Sequence, residues 1–199
     1  RYSIIAGLII SEGSLHIWRF YRGVWFLQTS LPFHLCGISI VLSIIMMING
    51  NHFIFRLTYF WGLIGAFIAV ITPALNVTYT HFRFWQFLLA HAFIVIAVMF
   101  MVIVEQYKIN YKTIWKTFGI TNLYMLTIGL FNWLTGSNYL YLCEKPVSSS
   151  PTPYDFLGPW PWYIFVLEVV AIVTFHIWFL PYLIFNKEMK KQIKPEIIK

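Results

Sequence analysis

The chain has 199 residues, of which 59% are hydrophobic, 20% aromatic and only 11% charged. A water-soluble domain of this size needs more polar surface than that, so the solvent is mainly lipid. The net charge of +7 does not point to nucleic acid, because the basic residues sit in loops and in the tail between apolar runs, where membrane topology explains them.

Runs of about 20 mostly apolar residues mark membrane helices. They predict an all-α fold, a polytopic transmembrane helix bundle of about six spans, near residues 2–22, 32–49, 54–73, 84–106, 114–134 and 160–185. Glu12, His16 and Arg19 interrupt the first of these. Pro32 suits the first turn of the second, where its missing N–H costs nothing, and Pro73 suits the end of the third. No polar linker is long enough to separate two cores, so residues 1–186 read as one transmembrane domain. Residues 187–199, KEMKKQIKPEIIK, read as a basic cytoplasmic tail that can touch anionic lipid. The chain opens on Arg1 without the pattern of a removable signal peptide, which leaves room for a further span upstream.

Six spans put both ends on one side. That side holds Arg1, Arg56, Lys108, Lys112, Lys116, Lys187, Lys190, Lys191, Lys194 and Lys199, against Arg19, Arg22, Arg83 and Lys145 on the other. The excess places the C-terminus in the cytoplasm, in a bacterial plasma membrane by expectation. Trp25, Trp85, Trp133, Trp160 and Trp162 then fall at or near the outer interface, where an indole buries its ring and keeps its N–H wet.

The polar residues of this topology collect on the outer side. LPFHLC (31–36) starts the second helix, and TPALNVTYTHFR leads into the fourth, which carries Gln86 and His91. NYLYLCEKP (138–146) and GPWPWYI (158–164) flank the long outer loop. At 1.5 Å per residue His91 lies roughly 10 Å below the outer boundary, Glu168 roughly 12 Å and Cys36 about 5 Å. An ionisable group at such depth costs several kcal/mol unless it faces the bundle interior, a partner or water, so the pattern predicts a polar pocket.

Two readings stand for each group. His91 is a structural histidine bonded to a neighbouring helix, or a base. Cys36 is a small buried hydrophobe, or a nucleophile favoured by the positive end of its helix, with His91 taking its proton. His34 lies two positions from Cys36 and on a helix would face away from it; a later helix start would let it orient or donate to the site. Glu168 and Glu12 orient a histidine, bind a headgroup amine or, the favoured reading, pair with Arg19 or Arg83. Asn138 and Tyr139 offer headgroup contacts, and Asn138 equally closes a turn. GPWPWYI reads first as a rigid aromatic interfacial turn, and second as the rim of the pocket.

Six histidines invite a metal, but none stands at HxxxH or HxxE spacing on one helix, so no metal site is expected. Phosphate loops and dinucleotide fingerprints are absent too, and no cofactor is expected. Cys36 and Cys143 are too few for a disulfide framework, though one bridge between them remains open.

Five ordered blocks, LPFHLC at 31–36, YFWGLIGAFIAVITP at 59–73, HFRFWQFLLAH at 81–91, NYLYLCEKP at 138–146 and GPWPWYI at 158–164, resemble the YwaF/transmembrane protein 164 family of integral membrane proteins. The resemblance implies phospholipid acyl transfer, since the animal branch is described as a cysteine-dependent acyltransferase. By the same analogy Cys36 corresponds to the nucleophile and His91 to the base. The expected activity is therefore a cysteine-dependent acyltransferase or lipase-like enzyme working on phospholipid acyl chains at the extracytoplasmic leaflet. Phospholipid or lysophospholipid would be the partner, with substrate contacts from His34, Gln86, Asn138, Tyr139 and Glu168. Its rivals are a lipid- or small-solute-binding protein or transporter, and a structural subunit whose polar layer only fixes helix register.

Overall fold

The computed structural model describes residues 1–71, 77–146 and 153–193. The described residues form α1 (Tyr2–Tyr21), α2 (Leu27–Ser30), α3 (Leu35–Asn49), α4 (His52–Ile71), α5 (Phe82–Ile103), α6 (Tyr111–Thr135) and α7 (Trp162–Ile193). Short 3₁₀ turns lie at Tyr139–Tyr141 and Pro153–Phe156, and no strand is present among these residues. The fold is all-α, and the six longer helices lie on the six apolar runs. Pro73 lies outside the described residues.

Local chemistry explains several boundaries. At the start of α6 the Asn110 side chain accepts from the Thr113 N–H while the Thr113 hydroxyl accepts from the Asn110 N–H, a reciprocal cap that satisfies two orphan donors. Helices α3 and α6 both stop at a left-handed glycine, Gly50 (φ 65°) and Gly136 (φ 67°), a conformation that costs glycine little. Pro32 departs from expectation, since α3 starts three residues later. The proline instead folds back over Gly37, where a Cβ would come 2.9 Å from the Pro32 Cα.

Among the described residues three helices are long and apolar enough to cross a membrane: α4, α5 and Trp162–Ile184 of α7. The apolar α3 has only 15 residues, a rise of about 22 Å. Helices α1 and α6 have the length, but Glu12, His16 and Arg19 in one, and Lys, Thr and Asn in the other, dilute their apolar character.

Helices α1, α3, α4 and α5 pack around a shared core that includes Leu8, Met46, Met47, Phe55, Phe60, Ile94, Val98 and Met101. Gly7 lets α1 approach the Phe93 ring of α5 so closely that a Cβ would sit 2.3 Å from it. Helices α6 and α7 pack on each other and touch the core through α4. The Trp61 indole donates to the Thr121 hydroxyl (2.8 Å), and the Tyr59 hydroxyl donates to the Trp178 carbonyl (3.0 Å). Leu123, Leu126, Leu130, Val169 and Ile177 on this pair point outward, as lipid-facing side chains do.

The two ends of the bundle are chemically distinct. At one, the Arg1 guanidinium donates to the carbonyls of Met47 and Ile48 and pairs with Glu105 at 3.5 Å. At the other, Arg19 donates to the Ser30 carbonyl (3.1 Å), Trp160 to the Leu142 carbonyl (3.0 Å), and Trp18 packs edge-on against His81 at 5.8 Å. Exposed Trp85, Trp133, Trp160 and Trp162 ring this second end. It is there that 31–36, 81–91, 138–146 and 158–164 converge.

Candidate functional site

The α2–α3 connection positions the first candidates. His34 caps α3 with an extended backbone (φ −69°, ψ 150°), so the helical geometry that would turn its ring away from Cys36 does not apply. The ring packs against Tyr139 (5.4 Å) and Tyr141 (5.1 Å). Cys36, in the first turn of α3, is a half-buried free thiol. Its sulfur fills the space a side chain on Gly65 of α4 would occupy, 3.1 Å from that Cβ position. Cys143 is free and exposed, so no bridge joins the two cysteines.

The 138–144 turn packs on the start of α3 through the His34 ring and is held in an unusual backbone. Leu140 (φ 59°) and Tyr141 (φ 55°) are consecutive left-handed residues, a conformation that costs roughly 1–2 kcal/mol at each non-glycine position. Asn132 of α6 offsets that cost. Its amide donates to the Tyr139 carbonyl (2.8 Å) and accepts from the Tyr139 N–H (3.0 Å), as a neighbouring backbone would. Asn138 accepts from the N–H groups of Cys143 (3.1 Å) and Glu144 (3.3 Å) and donates to the Glu144 carbonyl (2.9 Å), which is the turn-closing role. Tyr139 is fully buried; its hydroxyl donates to the Leu27 carbonyl (2.6 Å) and accepts from the Leu31 N–H (2.9 Å). The Tyr163 hydroxyl holds the Tyr141 carbonyl.

Tyr141 thereby comes within electrostatic reach of Cys36, as does Tyr154 from the second 3₁₀ turn. The Tyr154 ring lies 5.4 Å from Tyr141 and 6.2 Å from Tyr163. Burial, reinforced by those phenols and the thiol, pushes the Tyr154 hydroxyl up to about 12. It is a donor at any physiological pH.

His91 sits on the buried face of α5. Its Nδ1 lies 2.7 Å from the Phe87 carbonyl, and its ring tilts over Phe87 at 4.2 Å. A carbonyl only accepts, so Nδ1 carries a proton, and in the neutral ring the lone pair is on Nε2. That Nε2 is buried without a partner, as are the hydroxyls of Ser39 and Ser43 on α3. No hydrogen bond between described residues joins Cys36 to His91.

The remaining polar groups form separate links. Gln86 is buried, donates to the Ser11 carbonyl of α1 (3.1 Å) and accepts from the Arg83 guanidinium. Glu168 does not pair with an arginine. Its carboxylate accepts from Asn122 of α6 at 2.9 Å, because α7 packs on α6 and the arginines belong to α1 and α5. Glu12 pairs with His16 one turn on (3.3 Å), and His16 in turn accepts from the Trp25 indole (3.1 Å). Among the described residues no three His, Cys, Asp or Glu side chains converge on a metal position. An apolar groove of about 360 Å³ lies lower, between α4, α5 and α7, lined by Tyr59, Leu63, Phe67, Met99, Trp178 and Tyr182 among others.

Residues 1–179 match the TMEM164 family. The chain belongs to that family. It is also similar to an uncharacterised protein of Treponema pallidum (strain Nichols), 26% identical over 122 residues, which is 60% of this chain and 50% of that protein. The chain thus spans about half the length of the curated relative it matches. No solved structure matches. Family membership and the apolar helices make this a membrane protein.

Within this TMEM164 family chain, sequence reasoning did not single out Gly65, Asn132, Tyr141 or Tyr154. The two tyrosines and the glycine face the thiol only after distant segments fold together. Asn132 did carry a signal, an amide in the apolar end of α6, which needs partners inside a membrane.

Proposed function

We propose that the protein is a membrane-embedded, cysteine-dependent acyltransferase or lipase-like enzyme acting on phospholipid acyl chains at the extracytoplasmic leaflet. The orphaned, buried Nε2 of His91 carries this reading. An imidazole whose other nitrogen is tied to a carbonyl has its lone pair ready to take a proton, and a free thiol stands at the same end of the bundle. The reading requires Nε2 and the thiol to share a proton when an ester is bound, directly or through one water; such contacts often tighten only in the complex.

The thiolate of Cys36 attacks the ester carbonyl, forming the S–C bond and breaking the C–O bond. The lysolipid leaves with the proton held by His91. A lysophospholipid hydroxyl, or water, then gives its proton back to His91, attacks the thioester and releases the thiolate. Backbone N–H groups in the first turn of α3, unsatisfied by helix geometry, supply the oxyanion donors. Tyr141 and Tyr154, protonated and within electrostatic reach of the thiol, are the side-chain donors this proposal assigns to the ester oxygen. All six long helices act as spans in this proposal, α3 with the extended 31–34 segment, and the C-terminal tail lies in the cytoplasm of a bacterial plasma membrane.

A second reading, lipid or solute binding or transport without catalysis, is favoured by one observation: the sulfur of Cys36 packs on Gly65 as a small hydrophobe does. Acyl exchange between a labelled phospholipid and a lysophospholipid, followed by mass spectrometry on the reconstituted chain, separates them. Cys36→Ala is expected to abolish exchange in a protein that remains folded. Undiminished exchange in that variant rejects the thiol mechanism.

A further inference from the structure

The outer ends of α1 and α5 carry two half-buried guanidiniums that the proposed reaction does not use. Arg19, in the last turn of α1, donates one N–H to the Ser30 carbonyl at 3.1 Å. Arg83, at the start of α5, donates one N–H to the Gln86 side chain, and Gln86 is anchored to the Ser11 carbonyl of α1 at 3.1 Å. That chain of bonds ties Arg83 to α1, and Trp18 beside Arg19 packs on His81 (5.8 Å) and Phe82 (6.3 Å) beside Arg83, which brings the two cations within electrostatic reach of each other. A guanidinium has five donors in a planar fork, and among the described residues each fork has one side-chain or carbonyl acceptor, Ser30 for Arg19 and Gln86 for Arg83.

The charges do not balance. Among the described residues Glu12 is the one carboxylate within electrostatic reach of both arginines. It accepts from the His16 Nε2 at 3.3 Å, and neither arginine has a carboxylate within ion-pair distance among the described residues. Two cations against one anion leave a local positive charge at the level of Trp18, Trp25 and Trp85, the aromatic layer that in a membrane sits among headgroups. Holding such a pair without a counter-anion is costly in a partly desolvated place, and a second anion repays it.

From this geometry we infer that Arg19 and Arg83 form a phosphate-recognition site. A phosphodiester offers two non-bridging oxygens, the acceptor geometry that a guanidinium fork meets bidentately and that a lysine does not. Tying Arg83 through Gln86, and Arg19 through Ser30, preorganises both forks and lowers the entropy lost when the anion arrives. The inference deepens the proposed function, since it names the headgroup chemistry of the lipid. It rests on the reading of an outer, lipid-facing site and not on catalysis by Cys36.

Binding is therefore measured without turnover, on the full chain in detergent micelles carrying Cys36→Ala. The probes are dihexanoyl-phosphatidylglycerol, dihexanoylglycerol, which lacks the phosphate, and inorganic phosphate. Arg19→Gln and Arg83→Gln are each expected to weaken binding of the phosphate-bearing lipid about fivefold or more, and dihexanoylglycerol to bind far more weakly. Glu12→Gln, which removes the competing anion and keeps an acceptor for His16, is expected to strengthen binding a few-fold. If inorganic phosphate displaces the lipid at similar concentration, the site serves free phosphate; if it does not, the site serves the headgroup; both keep the phosphate assignment. Should the Gln variants not fold, Arg19→Lys and Arg83→Lys, which keep charge but lose the fork, are expected to lose several-fold in affinity. Unchanged affinity in the folded arginine variants, or equal binding of dihexanoylglycerol, overturns the inference whether or not Cys36 proves catalytic.

Discussion

Replacing Tyr139 with Phe tests the turn that delivers the thiol. The Tyr139 hydroxyl is inserted between the Leu27 carbonyl (2.6 Å) and the Leu31 N–H (2.9 Å), two backbone groups that would otherwise close the last turn of α2 on each other. The ring is fully buried against Phe33 (5.3 Å), while the two hydrogen bonds of its hydroxyl are part-buried and Leu27 is exposed. Each buried backbone group left unpaired costs about 1–3 kcal/mol. The two groups recover part of that by closing on each other, and the exposed Leu27 carbonyl can turn to water, so the expected loss is about 1 kcal/mol rather than the sum. Reversible unfolding in mixed micelles reads this directly, with Phe in place of Tyr keeping the ring contacts. Because Leu31 leads through Pro32 and His34 into Cys36, the same variant should speed alkylation of Cys36 by a maleimide, followed by intact mass. A stability loss below about 0.5 kcal/mol together with unchanged alkylation would show that the hydroxyl does not pin this segment.

Gly7→Ala places a Cβ 2.3 Å from the Phe93 ring and is expected to destabilise the fold by about 1–3 kcal/mol through overpacking of α1 on α5. Phe93→Leu in the same chain should restore part of the loss; no restoration means that α1 and α5 do not meet there. For Tyr154, burial raises the phenol to about 12, against about 10 for a free tyrosine. The neutral form is the one the fold favours, so its stabilising contribution is complete below pH 10 and is lost as pH rises towards 12. In an ultraviolet titration, Tyr154→Phe should remove part of the phenolate absorbance that develops near pH 12. Removal of a step near pH 10 instead would place Tyr154 in water.

The helices were legible because a membrane imposes one rule on every backbone group, internal hydrogen bonding, and apolar runs of the right length announce it. Even α1 formed where Glu12, His16 and Arg19 interrupt its apolar face. Those charges find partners at the bundle end, Glu12 with His16 and Arg19 with the Ser30 carbonyl. The gathering of polar residues at one end was legible for the same reason. Which side chain meets which was not. Glu168 was expected against an arginine and bonds Asn122, since opposite charge is a weak guide when several helices compete for one neighbour.

What the amino-acid order determined alone is the membrane class, the helix positions, and the end of the bundle where polar residues collect. These follow from hydrophobic run length, which acts locally along the chain. Only the tertiary structure decided that Cys36 packs on Gly65 within electrostatic reach of Tyr141 and Tyr154, that Tyr139 is a buried pin, and that Arg19 and Arg83 share a single carboxylate among the described residues. Those facts depend on helix rotation and on two left-handed residues at 140 and 141. Both are set by packing between segments far apart in sequence, where no local pattern carries the information.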